Sequence, residues 1–506
     1  MADDEDTTLR KLYQKASSIN GYPHFSFVGP FGQRVSFASQ QRRALNTVWA
    51  THPQLAGKKA PSVAVVGGGI AGLTTAAALL VKGCRVTLFE RDVQFAGAQL
   101  RASHRYAHPT VNFWPEKSVD STTDFPFLEW HADHCHKVAG MIVDEWRRTF
   151  ADDLMKCLME TTVTAIASVG EQAEVIFEQV VGNGRKKPGA ARFDHVFVTT
   201  GFGVEAKLFE SDRAYWEPDG LENRLVNGSK KFVVGGTGDG GLIEVLRILQ
   251  KDFEFGRLTL KLIGMLEEAS LTDDVKDIEQ KVMSESLNSD QAAVAYSEQY
   301  GDLAENLTVR IDRVMKSRHD DLSVTLVGRL PQPFQRNVAP VHKLMVAHAL
   351  RCGALTYVQG EIRAAADGSS CVIVTAEGER DIDPDANVVV RIGPKHPLGG
   401  LLPSEAVETL RHQQQEVADF LAPAPIDRTF FSKPRVAPIR GSAEHALSRH
   451  ELAAAFMARE FKSGIKVSDE SGTPFFTTTE RCELELPNSL FGIPLRAGNI
   501  LTARHL

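Results

Sequence analysis

VAVVGGGIAGL, Val63 to Leu73, decides how the rest of the chain is read. Ser62 to Val66 is short and nearly all apolar, as a central parallel strand buried on both faces requires. Gly67, Gly69 and Gly72 then break the run as GxGxxG. LTTAAALLVKG is apolar at helical spacing and stops at Gly83, a plausible helix end. CRVTLFE reads as a second strand with Glu90 at its tip, 18 residues beyond Gly72. Gly67 permits the tight turn, Gly69 lets backbone approach a pyrophosphate at the positive end of a helix, and Gly72 lets helix and strand pack closely. A carboxylate about 20 residues on is placed to grip ribose hydroxyls.

The stretch GGGIAGLTTAAALLVKGCRVTLFER resembles the FAD-binding βαβ unit of the glutathione-reductase-like flavoproteins, which include amine oxidases and flavin monooxygenases. The resemblance implies FAD at this loop, with Glu90-Arg91 as the acid and its basic neighbour. Of the GG or GGR element that often follows, Gly97 and Arg101 in FAGAQLR correspond loosely. FDHVFVTTGFG, Phe193 to Gly203, resembles the strand and ATG-like turn that close the flavin domain, with Thr200 and Gly201 at the turn. METTVTAIASVG and AEVIFEQVVG read as strands between the two, and RKKPGAA as a polar loop.

The device recurs as VVGGTGDGGL, Val233 to Leu242, with Gly236, Gly238 and Gly241 in the same spacing, 169 residues later. LIEVLRILQ is the helix that follows, and RLTLKLIG reads as the next strand. SVTLVGR and TYVQGEI are strand-like, CVIVTAEG is half of a hairpin, and DANVVVRIG echoes DHVFVTTG. Three readings stand for the second loop: a site for NADH or NADPH, the Gly238-Asp239 element that binds FAD ribitol in this superfamily, or a structural turn. RLTLKLIG ends without a carboxylate while Arg257 and Lys261 lie nearby, which leans toward the 2′-phosphate of NADPH.

Chemistry is expected in RASHRYAHPTVNFWPE, which passes near the isoalloxazine ring in related flavoproteins. His104, His108, Asn112 and Trp114 are the candidates to hydrogen-bond flavin or move a proton. Tyr215 and Trp216 are candidates to line a substrate pocket. HADHCHK places His131 and His134 on one helical face and His136 off it, so no metal is expected there. The absence of CxxC or CxxxxC among six cysteines disfavours a dithiol redox centre.

The expected fold is α/β, with two Rossmann-like dinucleotide-binding units on parallel sheets and a helical C-terminal region. The 506 residues divide into a 1–60 extension packing on the flavin domain, an FAD domain at 61–230, a second domain at 231–400 with a helical insertion near 267–306, and a mainly helical 401–506. A net charge of −7, spread thinly, offers no nucleic-acid footprint. No apolar run reaches the roughly 20 residues of a membrane helix, and the acidic N-terminus lacks a signal-peptide core. A cytoplasmic flavoenzyme acting on a small molecule is expected, of undetermined oligomeric state. It is reduced by NADPH or NADH and passes electrons to oxygen or an organic acceptor, as a monooxygenase or reductase. The alternatives are an amine or amino-acid oxidase and a nucleotide-binding sensor.

Overall fold

A strand flanked by glycines, met twice, organises two parallel sheets. The computed structural model describes residues 2–31, 35–150, 154–209, 212–251, 253, 256–315, 318, 321–365, 370–395, 398, 400–417 and 426–431, plus the backbone of short strands between 466 and 494. The chain divides into two compact units, Met1–Lys433 and Pro434–Leu506. In the larger, α1 (Ala2–Ser17), β1 (Phe25–Phe27) and α2 (Phe37–Thr51) precede the first glycine loop. The helix α2 starts where it does because Ser36 caps it in a capping box with Ser39.

β2 (Ser62–Val66), α3 (Ile70–Val81) and β3 (Arg85–Phe89) follow. α3 is buried along nearly its whole length, which is why its sequence is apolar all round. After α4 (Cys135–Phe150) come β4 (Met155–Leu158), β5 (Thr161–Val169), β6 (Gln172–Val181), β7 (Arg185–Phe193) and β8 (His195–Val198). The first sheet runs β1-β8-β2-β3-β4, all parallel. β5, β6 and β7 form an antiparallel layer. RKKPGAA is thus strand β7, not a loop. It lies at the edge of its sheet, where proline is tolerated, and Gly189 leaves room for the Phe177 ring, which a Cβ there would meet at 2.5 Å.

The second sheet is built on β9 (Lys231–Gly235), followed by α5 (Asp239–Leu249). RLTLKLIG, expected as the next strand, begins the helix α6 (Arg257–Glu268). Leu258, Leu260 and Leu262 alternate like a strand, but the residues that bury are Leu258, Thr259, Leu262, Ile263 and Leu266, a helical set. α7 (Thr272–Ser284), α8 (Ser289–Asn306) and α9 (Thr308–Val314) continue the insertion, which is wider than expected. Only then come β10 (Ser323–Gly328), α10 (Pro340–Arg351) and β11 (Leu355–Gln359). A three-stranded antiparallel sheet, β12 (Glu361–Ala364), β13 (Cys371–Thr375) and β14 (Gly378–Asp381), leads to β15 (Asn387–Val390). The second sheet runs β11-β10-β9-β15, all parallel.

Two short strands, Val204–Glu205 and Pro394–Lys395, pair antiparallel where the chain leaves the first sheet and returns. α11 (Ser404–Glu416) then packs back on the first sheet, with Val407 and Leu410 in one core with Phe25, Val66 and Val196. Its Gln414 amide donates to the carbonyls of Ala16 and Phe27 and accepts from the Phe31 amide. The smaller unit contains antiparallel strand pairs, Lys466–Glu470 with Thr473–Thr477 and Ser489–Leu490 with Ile493–Pro494. Beyond residue 431, most of the region expected to be mainly helical, HALSRHELAAAFMAREFK included, lies outside the described residues. Among the described residues no helix is long and apolar enough to cross a membrane.

Candidate functional site

The first loop is shaped by backbone crowding on one side and open space on the other. Gly67 has φ +105°, and a Cβ there would meet the Thr199 carbonyl at 2.8 Å. A Cβ on Gly72 would lie 1.8 Å from the Gly67 carbonyl oxygen, so only glycine lets α3 start this close to β2. At Gly69, which begins α3, a Cβ would meet nothing within 4 Å. A helix N-terminus therefore faces free space with its amides unobstructed, the requirement for a diphosphate. Glu90, buried at the tip of β3, accepts from the Gly68 amide at 2.5 Å and the Asp92 amide at 2.8 Å. Burial pushes its carboxyl up, against those two hydrogen bonds. The loop and its acid fit an adenosine diphosphate moiety. Arg91 and Arg101 are exposed beside this site, and Gly97 opens the short helix that ends before Arg101. The Thr199 hydroxyl sits against the Val66 and Gly67 carbonyls, 2.9 Å from each, and Gly201 turns the chain at φ +69° just past Thr200.

The second loop repeats this geometry. Gly236 has φ +112°, a Cβ on Gly241 would lie 1.8 Å from the Gly236 carbonyl oxygen, and Gly238 faces open space. The Gly236 amide donates to Val327 at 2.8 Å, as the Gly67 amide donates to Phe89 at 2.8 Å. That register places Gly328 where the first unit has Glu90, and Arg329 where it has Arg91. Gly328 is required there: a Cβ would meet the Thr237 methyl at 2.3 Å. The closing strand ends in Arg391, the counterpart of Thr199, and Gly393 turns at φ +88°. Arg257 and Lys261 lie on helix α6 and so are not at this strand tip; Arg329 is. It is largely exposed and pairs with Glu361 at 2.6 Å.

Asp239, in the first turn of α5, faces α10. Its Oδ1 lies 2.8 Å from His342 Nδ1 and accepts from the Ala339 amide at 3.4 Å.

Between the loops lies a buried ionic cluster that no short motif announces. Glu244 on α5 is fully buried and receives Arg105 at 2.5 Å, Arg391 at 2.7 Å and Arg247 at 2.6 Å. Burial alone would push its carboxyl up, but the three guanidinium groups outweigh burial and hold it well below the usual carboxylate range. Asp219 and Glu222 complete the charge balance on Arg247, at 2.8 and 2.5 Å. Arg105 also stacks on Tyr215, 3.9 Å from the ring centroid, and burial pushes the Tyr215 phenol up to about 12. Trp216 packs against Phe37.

The four candidates from RASHRYAHPTVNFWPE separate here. Trp114 is fully buried in the core of the second sheet, and its indole N–H donates to Glu267 at 3.2 Å. His108 is buried, its Nδ1 accepting from the Thr110 and Val111 amides at 3.3 and 3.2 Å. Asn112 donates to the Val35 carbonyl at 3.4 Å near the surface. His104 differs: both ring nitrogens are buried without a hydrogen-bond partner, beside the ionic cluster. Burial, then Arg105, push it down to about 4. Arg105 Nη1 is likewise buried and unpartnered.

Residues 62–193, from the first residue of β2 to the last of β7, match the family described as FAD dependent oxidoreductase. The carotenoid phi-ring synthase of Streptomyces griseus is 42% identical over 73 residues, 14% of this chain and 12% of that protein. Dimethylaniline monooxygenase [N-oxide-forming] 2 of Macaca mulatta is 27% identical over 205 residues, 36% of each chain. The chain thus spans little more than a third of these relatives at most. Among solved structures, the bacillithiol disulfide reductase of Bacillus cereus covers 72% of this chain and 98% of its own at 12% identity and a TM-score of 0.37.

Proposed function

We propose that this chain, whose residues 62–193 match the FAD dependent oxidoreductase family, takes electrons from NADPH and passes them to oxygen or a small organic acceptor. The supporting observation is the repeated glycine geometry: at both loops the helix starts so close to its strand that a Cβ would lie 1.8 Å from a carbonyl oxygen. Glu90 at the first loop is the acceptor for ribose hydroxyls of FAD. At the second, Gly328 and Arg329 replace the acid and its neighbour, which suits a 2′-phosphate in place of a free hydroxyl. In this reading Asp239 ties α5 to α10 through His342 and the Ala339 amide and does not hold ribitol.

FAD, when bound, supplies the two-electron redox chemistry. The chain's part is to bind, orient and exclude water. Loop amides neutralise phosphate charge at two helix N-termini. The ionic cluster around Glu244 fixes Arg105 rigidly, joining α5 to the segment that follows the flavin-binding unit. His104, with both ring nitrogens buried and unpartnered, is the candidate among the four to hydrogen-bond a bound cofactor or substrate. Trp114, His108 and Asn112 are held by other partners and act as scaffold.

Anaerobic mixing of the flavin-loaded protein with NADPH tests this reading. Bleaching of the visible flavin band is expected. A band that persists with NADPH and NADH but bleaches with an amine would establish the oxidase alternative instead.

A further inference from the structure

Away from both loops, three side chains of different chemistry converge on one point. Asp312 stands on α9, His348 in the last turn of α10, and Cys352 one turn further, at the C-cap. Their donor atoms all lie within 4.8 Å of one another. His348 Nε2 is 3.0 Å from Asp312 Oδ1 and 3.5 Å from Cys352 Sγ. His348 is buried, and the other two are exposed at the rim.

We infer that Asp312, His348 and Cys352 form a binding site for a divalent transition cation, zinc by its ligand preference. Carboxylate oxygen, imidazole nitrogen and thiolate sulfur are the three donor types zinc takes, at about 2.0–2.3 Å, and tetrahedral bonds of that length space donors about 3.3–3.8 Å apart. The separations from His348 Nε2, 3.0 and 3.5 Å, lie close to that spacing, and the third lies within 4.8 Å. A catalytic Cys-His-Asp relay is the other arrangement these residues suggest, and the geometry opposes it. A relay sets the carboxylate and the thiol on opposite ring nitrogens. Here the thiol lies beside the ring, 3.5 Å from Nε2 and 3.9 Å from Nδ1, and not at the nitrogen opposite Asp312. All three donor atoms lie within 4.8 Å of one another, close enough to face one ion.

The charges agree. Asp312 and a Cys352 thiolate together balance a dication, and binding displaces the thiol proton to solvent. The adjacent Arg351 does not compete, since its guanidinium is held by Glu305 on α8 at 2.6 Å. Three protein ligands leave a fourth position for water, the arrangement of an exchangeable site more than of a closed structural one. The cation would tie the end of the helical insertion to α10.

Cobalt(II) is the probe, titrated into the full chain after chelator treatment and dialysis. Expected are saturation at one equivalent, a near-ultraviolet thiolate-to-cobalt charge-transfer band, displacement by zinc, and a higher melting temperature with zinc. Cys352→Ser, at an exposed position, should remove the band, and Asp312→Asn should weaken binding at least about tenfold. Circular dichroism matching the parent confirms that each variant folds. No saturable binding, or a band unchanged in Cys352→Ser and so arising from another thiol such as exposed Cys157, would overturn the assignment.

Discussion

Gly241→Ala isolates the second loop from the first. The new Cβ would stand 1.8 Å from the Gly236 carbonyl oxygen, where real Cβ atoms essentially never approach below 3.0 Å, so the start of α5 must retreat by at least 1.2 Å. The atom it meets is backbone, held in turn by the Gly236 amide bond to Val327, so it cannot swing aside. A misplacement of about 1 Å between reacting groups costs on the order of 100-fold in rate. The variant should keep its flavin, because β2, α3 and Glu90 are untouched. Its anaerobic reduction by NADPH should slow, or its NADPH Kd rise, by about 100-fold. Stopped-flow absorbance across an NADPH series separates the two effects, and flavin released on denaturation confirms loading. Gly72→Ala, with the same 1.8 Å conflict at the first loop, should instead yield protein without flavin. A Gly241→Ala protein reduced by NADPH at the parent rate and affinity would refute the assignment of the second loop.

Arg329→Ala should raise the KM for NADPH by about 10- to 100-fold, the worth of one charge-assisted hydrogen bond of about 1.5–3 kcal/mol, and leave NADH unchanged; equal loss with both nucleotides would argue against a 2′-phosphate contact. Glu244→Gln removes the charge that three buried guanidinium groups share and should cost about 3–5 kcal/mol of stability by urea unfolding; a loss under about 1 kcal/mol would show that the cluster is compensated elsewhere. Burial pushes His104 and His108 down to about 4 and His195 to about 3, against 6.5 in the unfolded chain. The unfolded state therefore binds more protons between those values, so stability is full above pH 6.5 and is lost as pH falls toward 4. A urea midpoint that stays level between pH 7 and pH 5 would contradict the neutral burial of these rings.

The local devices were legible because they are written in adjacent residues. Strand, glycines and helix at Ser62–Val81 and Lys231–Leu249 follow from apolar runs broken where φ must turn positive or a helix must touch its strand. Short windows failed where two periodicities fit. Leu258-Leu260-Leu262 alternates, yet Leu258-Leu262-Leu266 is the set that buries, and only packing against α9 and α10 selects it. The displaced strand also moved the basic residue at its tip from Arg257 to Arg329.

The sequence by itself determined two strand–glycine–helix loops and the acid after the first, because glycine conformation and hydrophobic period act within about 20 residues. Tertiary structure alone decided what surrounds them. Arg105 reaches Glu244 across 139 positions, and Asp312 reaches His348 across 36. Which of four neighbouring candidates keeps free polar atoms was settled by partners as distant as Glu267, 153 residues from Trp114. Charge pairing and burial are properties of spatial neighbours, and the fold, not the order of residues, chooses those.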